Sequence, residues 1–353
     1  MSVTASAIAL DNHRIAGFSP LMSPALLRYE LPTNDQVATT VVRARTEVVD
    51  ILEGRDDRLL VVVGPCSIHD PEAALDYAAR LTRQAAVVSD ELLVVMRAYF
   101  EKPRTTVGWK GLINDPHLNG SFDVNTGLRV ARRLLLELNG MGLPAGCEFL
   151  DPITPQYISD LVTWGSIGAR TAASQTHRQL CSALSMPVGI KNSTSGDIGD
   201  AVDGIRAAAA SHAFMGVNAD GLAALVTTTG NPDCHLILRG GATGPNYSTD
   251  HIAATRMRLR DADLPDRVVV DASHGNSGKD HLRQPVVVRD LAARIARGER
   301  GVVGLMMESF LVAGRQEVGP NMTRGQSVTD ACMAWSTTAD LLDELADAVR
   351  TRR

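Results

Sequence analysis

The chain has 353 residues, 44% of them hydrophobic, and a formal net charge of −5; its mean hydropathy is −0.01 and its isoelectric point about 6.0. These values exclude a disordered or fibrous chain, allow one large core, and argue against nucleic acid as a partner, since counterion release needs a basic surface. The five cysteines are scattered without CxxC spacing, and no apolar run approaches the ~20 residues of a membrane span, so a disulfide framework, a zinc ribbon and a membrane protein are set aside in favour of a cytoplasmic protein in a reducing compartment.

Residues 1 to about 34 have weak periodicity and contain Ser19-Pro20, Ser23-Pro24 and Leu31-Pro32, which reads as an arm lying on a surface such as a neighbouring subunit, or as a frayed terminus. Val37, Val41, Val48 and Leu52 recur at helical spacing, with Gly54 at the C-cap position. Residues 1–54 are therefore expected to be an N-terminal arm and helix with an oligomeric or regulatory role. Then an alternation begins. Apolar strands are expected at Leu59–Val63, Leu92–Met96, Cys147–Leu150, Ile167–Arg170, Val188–Lys191, His235–Arg239, Val268–Asp271 and Val302–Glu308, separated mostly by helical spans. Asp70-Pro71 supplies a cap and a first-position proline for a helix through Leu81, and Thr154-Pro155 repeats that signal. Phe214–Asn218 and Ala223–Thr227 flank Ala219-Asp220-Gly221, a hairpin signal. With that hairpin set aside as an insertion over 212–233, eight strand–helix repeats predict an α/β fold: a (β/α)8 TIM barrel over 55–353, with an N-terminal extension and a β-hairpin inserted between barrel strands 5 and 6. Its active site belongs at the C-terminal ends of the strands.

Two groups of residues collect at those ends. Arg97, Lys102, Arg104, Arg170, Lys191 and Arg239 are cationic, and that many buried cations at one mouth require anionic partners. Carboxylates near them look too few, which leaves a phosphate- and carboxylate-bearing ligand, with Arg as bidentate clamp and Lys as point charge. Arg239-Gly240-Gly241 adds glycines that let backbone N–H groups approach an oxyanion. The second group is Cys66, His274, Glu308 and Asp330, a donor set that suits a single Mn2+ or Fe2+ better than structural zinc. Each has an ordinary alternative; Asp330, for one, stands where it would cap a helix from Ala331 to Leu345.

Six segments resemble the motifs of type I 3-deoxy-D-arabino-heptulosonate 7-phosphate (DAHP) synthase, of the microbial feedback-regulated class: Gly64-Pro65-Cys66-Ser67-Ile68-His69-Asp70, Lys102-Pro103-Arg104-Thr105-Thr106-Val107-Gly108-Trp109-Lys110-Gly111, Gly168-Ala169-Arg170-Thr171, Leu238-Arg239-Gly240-Gly241, Ser273-His274-Gly275-Asn276-Ser277 and Val328-Thr329-Asp330-Ala331-Cys332. The resemblance runs from about Leu21 to the C-terminus. It implies a transferase that condenses phosphoenolpyruvate with erythrose 4-phosphate and water, the first step of the shikimate pathway. It also implies metal ligation by Cys66, His274, Glu308 and Asp330, with Mn2+ first and Fe2+, Co2+ or Zn2+ compatible. Phosphoenolpyruvate falls to Arg97, Ala169, Arg170, Lys191 and Arg239. Lys102 stands beside both substrates and is the expected catalytic residue with Cys66 and His274, while Arg104 and Thr105 are expected to grip the phosphate of erythrose 4-phosphate.

Regulated members of that family carry an N-terminal segment and such a hairpin, and bind an aromatic amino acid there. Pro155, Gln156, Ser185 and Phe214 match effector positions, and the hairpin sequence looks closer to the tyrosine-regulated form, although Ala183 replaces a usual glycine. The arm suggests a homodimer or homotetramer. Ala172-Ala173 replaces a usual Thr-Glu, and Phe310, Ala313 and Arg315 depart from the polar pattern after Glu308-Ser309. Two other readings stand beside this one: a related enzyme acting on a pentose phosphate or modified tetrose, and a catalytically silent partner that keeps the fold.

Overall fold

The computed structural model describes residues 11–104 and 106–353; Thr105 and the first ten residues of the expected arm lie outside the described residues. The strands are β1 (Leu59–Gly64), β2 (Leu92–Arg97), β3 (Ala145–Glu148), β4 (Trp164–Ile167), β5 (Val188–Lys191), β6 (Ala213–Val217), β7 (Ala223–Thr227), β8 (His235–Leu238), β9 (Val268–Asp271) and β10 (Val302–Phe310). The helices are α1 (Pro24–Glu30), α2 (Asp35–Glu53), α3 (Pro71–Val87), α4 (Val124–Gly140), α5 (Pro155–Ile158), α6 (Gln175–Ala183), α7 (Gly199–Ala209), α8 (Thr249–Asp261), α9 (Gln284–Ala296) and α10 (Trp335–Arg352).

All strands but β6 and β7 pair in parallel in chain order, and β10 returns to β1, with Leu60 opposite Gly304 and Gly64 opposite Glu308. The sheet is closed into the expected (β/α)8 barrel. Every residue of its eight strands is buried, as a sheet covered by helices outside and filled by side chains inside requires. One apolar cluster joins the outer faces of the strands to the helices. The other fills the barrel with Leu60, Val62, Val95, Trp164, Ile237, Val269 and Met306, and continues into Val48, Ile51 and Leu52 of α2. That helix therefore closes the end of the barrel away from the expected site, and Gly54 ends it in the left-handed conformation at φ 76°.

Several local expectations shift. β3 and β4 begin two or more residues before the apolar runs that announced them. The small residues there were easy to miss because their job is to leave space: a Cβ on Gly146 would come within 3.1 Å of the Trp164 ring, and one on Gly165 within 3.3 Å of Phe149. α3 starts at the Asp70 cap and runs past Leu81 to Val87. Thr154 makes no cap hydrogen bond and α5 is a single turn, because the Thr154 hydroxyl is donated to Glu101 instead. The last helix starts at Trp335, after Met333–Ala334 has paired with the end of β10, so Asp330 caps nothing.

The arm contains a helix that periodicity alone did not reveal: Ser23 accepts from Leu26 N–H and Pro24 takes the first position of α1. β6 and β7 form the expected antiparallel hairpin, Ala213 opposite Thr227 and Val217 opposite Ala223. Ala25 N–H donates to Ala219 O (2.8 Å), docking α1 on the hairpin turn. No helix among the described residues is long and apolar enough to cross a membrane.

The tightest point of the barrel filling is Gly189, where a Cβ would lie 2.8 Å from Trp164 Cζ2 and closer still to Ile237. Gly189→Ala is expected to lower stability by about 1–3 kcal/mol through overpacking, measured as a fall in the urea midpoint at unchanged slope.

Candidate active site

β1 and β10 end side by side, and that register builds the first half of the site. Gly64 lets the end of β1 close against that of β2, since a Cβ there would stand 2.7 Å from Arg97 O. Just beyond it, Cys66 is fully buried. Glu308 stands opposite Gly64 near the end of β10. Asp330 arrives on a loop pinned to the β1 end by the Ser67–Thr329 hydroxyl contact (2.7 Å) and by Cys66 N–H donating to Cys332 Sγ (3.4 Å). The ligand atoms of Cys66, Glu308 and Asp330 lie within 4.8 Å of one another. One thiol and two carboxylates at that separation fit a divalent cation.

Lys102 Nζ donates to Cys66 Sγ (3.1 Å) and to Cys66 O (3.2 Å). Burial pushes the Cys66 thiol up, the carboxylates of Glu308 and Asp330 push it further, and Lys102 pulls the other way. Burial opposes the charge of Lys102, but Cys66, Glu308 and Glu148 more than offset it and hold the ammonium above its ordinary range. Asp330 is held below the ordinary carboxylate range: burial would raise it, and Lys102, His274 and Lys279 overcome that.

His274 lies just outside the three-residue cluster. It sits in a tight turn at φ 43°, its Nδ1 2.8 Å from Asp271 Oδ2 and 2.9 Å from Ser273 Oγ, and its ring borders the cavity described next. The same Asp271 oxygen lies 3.1 Å from Lys191 Nζ. Burial would raise the pKa of this fully buried carboxylate, yet Lys191 and His274 drive it well below the usual value.

A cavity of about 260 Å3 opens at the C-terminal ends of the strands. Five of the six expected cations line it: Lys102, Arg104, Arg170, Lys191 and Arg239, with Ala169 at its wall and Asp330 and His274 along one side. Arg97 does not. It is 1% exposed, donating to Pro65 O (3.0 Å), Cys66 O (3.2 Å) and Glu308 Oε1 (2.9 Å), so it braces the thiol and carboxylate from behind. Arg239 is held by its own N–H, which donates to Asn192 Oδ1 (2.8 Å). Gly240 follows at φ 70°, where a Cβ would come within 2.5 Å of the Gly275–Asn276 peptide. Only glycine fits both demands.

The expectation of too few carboxylates is thus half right: Glu308 and Asp271 each neutralise one cation, and the rest face the cavity. Sequence reading passed over Asp271 and Glu148, although both are charged residues closing otherwise buried strands. Lys279, at φ 63° in the turn after His274, is a further cation on the lining. Of the Ala172-Ala173 pair, Ala172 is buried and Ala173 exposed, and neither lines the cavity. Among the effector positions, Gln156 and Ser185 line a second cavity of about 490 Å3, shared with Ala183 and the exit of the hairpin; Pro155 and Phe214 are not on its lining.

A profile of the DAHP synthetase I family matches residues 33–343. The chain is 53% identical over 345 residues to the Phe-sensitive phospho-2-dehydro-3-deoxyheptonate aldolase of Escherichia coli K12, covering 97% of this chain and 98% of that one. It is also 53% identical over 340 residues to the Tyr-sensitive aldolase of the same organism, covering 96% and 95%. Overall identity therefore does not separate the two sensitivities. A solved phospho-2-dehydro-3-deoxyheptonate aldolase from Francisella tularensis SCHU S4 superposes at a TM-score of 0.94 with 47% identity, covering 96% of this chain and 99% of that one.

Removing one partner of a buried ion pair strands the other. Asp271→Asn is expected to cost about 3–5 kcal/mol of stability at neutral pH. Because the folded pKa of Asp271 is depressed, its contribution is present above the unfolded value of about 3.9 and is lost as pH falls through the folded one. The stability gap between the variant and wild type is therefore expected to hold from pH 7 down to about pH 4 and to narrow only below it, as denaturation curves over that range would show.

Proposed function

Because the chain belongs to the DAHP synthetase I family, we infer that it is a 3-deoxy-7-phosphoheptulonate synthase, an enzyme that joins phosphoenolpyruvate, erythrose 4-phosphate and water into DAHP and phosphate at the entry to the shikimate pathway. The observation that carries the reading is the meeting of a cation-lined cavity with the Cys66–Glu308–Asp330 cluster at one barrel mouth.

The residues present suit a divalent metal. Cys66, Glu308 and Asp330 would hold it, with His274 the fourth ligand; bound there, the metal supplies Lewis acidity toward the aldehyde of erythrose 4-phosphate. Mn2+ is the proposed ion, and Fe2+, Co2+ and Zn2+ remain compatible with one thiolate, one imidazole and two carboxylates. Asp271 fixes the His274 ring by taking Nδ1, the usual outer-sphere arrangement for a ligating imidazole.

Arg170, Lys191 and Arg239 are assigned to the phosphate and carboxylate of phosphoenolpyruvate, with the wall at Ala169 beside them. Arg104 and Thr105 are assigned to the phosphate of erythrose 4-phosphate. Lys102 stands between the two substrates; its raised pKa keeps it a proton donor and a point charge at neutral pH. In this scheme C3 of phosphoenolpyruvate attacks the aldehyde carbon, Lys102 delivers a proton to the forming alkoxide, water adds at C2, and the phosphate departs with its bridging oxygen. Arg97 acts indirectly, by holding Glu308 in place.

The second cavity is assigned to an aromatic amino acid, tyrosine first, with Gln156 and Ser185 on its wall; Pro155 and Phe214 remain proposed effector positions off that lining. Residues 1–54 and the hairpin at 212–233 are proposed to serve oligomer contacts and regulation, as a homodimer or homotetramer in the cytoplasm. Met215 and Leu225 of the hairpin, 93% and 73% exposed, are apolar surface that a second copy would cover.

Phosphate release from phosphoenolpyruvate is expected only with erythrose 4-phosphate, lost in EDTA and restored by Mn2+; activity that survives complete metal removal would sink the assignment. Cys66→Ala is expected to lower activity by about 100-fold and to blunt the metal add-back. 18O placed in the bridging oxygen of phosphoenolpyruvate is expected in the released phosphate; label retained in DAHP contradicts the scheme. Millimolar tyrosine is expected to inhibit, and activity indifferent to tyrosine, phenylalanine and tryptophan alike removes the effector assignment.

A further inference from the structure

α6 stands between the two cavities. Its last turn, with Ser185 just beyond it, lines the second cavity, and Ser182 Oγ meets Thr228 Oγ1 (2.9 Å) at the foot of the hairpin. Near its start, two consecutive side chains reach the loops of the substrate cavity. His177 Nε2 lies 2.9 Å from Leu150 O, and its Nδ1 lies 2.9 Å from Ser174 Oγ. The tautomer with hydrogen on Nε2 satisfies both, donating to the carbonyl and accepting from the hydroxyl. Arg178 Nε donates to Ala172 O (2.9 Å), while its Nη2 donates to Asp200 O (3.0 Å) and so ties in α7.

One bound carbonyl lies in a loop that carries cavity residues, and the other lies in the loop that leaves the cavity residue Glu148 at the end of β3. Ala172 follows Ala169-Arg170-Thr171, and at 1% exposure it has no water to replace a lost donor. The Leu150 loop is held on its other side by Glu101, which accepts from Leu150 N (3.4 Å), Asp151 N (3.0 Å) and Thr154 Oγ1 (3.2 Å). Glu101 immediately precedes Lys102 and is 3% exposed. The Leu150 residue is thus gripped at N–H by the carboxylate beside Lys102 and at C=O by α6. A buried carbonyl that loses its donor is costly, and the loop relieves that cost by moving.

We propose that His177 and Arg178 are positioning residues, holding Lys102 and Arg170 in register through these two carbonyls, and that α6 carries the state of the second cavity to them. The second half of the proposal rests on the effector reading given above. Coupling of this kind is reciprocal: whatever the effector does to phosphoenolpyruvate binding, phosphoenolpyruvate does to the effector.

The test uses the full-length, metal-loaded enzyme and the variants His177→Ala, His177→Gln and Arg178→Ala, each checked for its melting midpoint. KM is expected to rise about tenfold, for phosphoenolpyruvate in Arg178→Ala and for erythrose 4-phosphate in His177→Ala, with kcat within about threefold of wild type. His177→Gln, whose amide N–H reaches the same carbonyl, is expected to recover most of the loss. A lowered melting midpoint with both KM values unmoved overturns the positioning roles. Calorimetric titration with tyrosine and phenylalanine, with and without phosphoenolpyruvate, tests the link. The variants are expected to bind as wild type does but to lose the effect of phosphoenolpyruvate on that binding; an effect that survives in both alanine variants overturns the link. If neither amino acid binds the wild type, the effector reading and the link fall together, while the KM split still decides the positioning roles.

Discussion

The parallel register of β1 on β10 is the constraint on which the chemistry depends. It closes the barrel and, by setting Gly64 opposite Glu308, brings a thiol from one end of the barrel sequence beside a carboxylate from the other. A slip of one residue in a strand turns every side chain to the opposite face, so here it would send Glu308 outward and leave Arg97 without its partner. Gly304 makes the close approach of β10 to β1 sterically allowed, since a Cβ there would stand 2.9 Å from Leu60 O, and the buried Arg97–Glu308 pair makes departures from it costly.

The charge distribution follows from that closure. A barrel mouth with so many Arg and Lys residues would repel itself apart, and the fold answers by dividing them. Arg97 is paired with Glu308 deep in the structure, behind the Cys66–Glu308–Asp330 cluster. Lys191 is paired with Asp271 and still reaches the cavity wall, where Lys102, Arg104, Arg170 and Arg239 also stand. The formal net charge of −5 confirms that attraction for these anions is local, built by placement and not by the field of the whole molecule.

The hairpin and the arm stand apart from this economy. They are joined to each other by the Ala25–Ala219 hydrogen bond, the arm is tied to α4 and α5 through Asn125, Arg129, Arg132 and Tyr157, and the hairpin segment is tied to α6 and α7. Arg28 of α1 donates to Gln156 O (2.7 Å), so the arm also touches the wall of the second cavity. The hairpin, whose strands are exposed or half-buried and which bears exposed apolar side chains, is the kind of part that a ligand or a neighbouring copy shifts at small cost.

Sequence alone determined the alternation of elements, the closed barrel, the inserted hairpin, and the identity of nearly every charged residue at the mouth, because period, caps and turn residues are local properties that neighbours in sequence report. It also named Cys66, His274, Glu308 and Asp330 as a set, of which the fold gathers all but His274 within 4.8 Å. What it left undecided lies in distance. That Arg97 stands behind the cluster and not on the cavity wall, that Asp271 serves Lys191 and His274 together, that Asp330 caps no helix, and that His177 and Arg178 reach back to the carbonyls of Leu150 and Ala172 were all settled by packing. Small residues such as Gly146 and Gly165 gave no signal of strand at all, since their role is fixed by the size of the Trp164 and Phe149 rings that lie against them. Hydrophobic period says which face of a strand is buried; only the closed fold says which charges meet across it, because those meetings join residues that the chain itself keeps hundreds of positions apart.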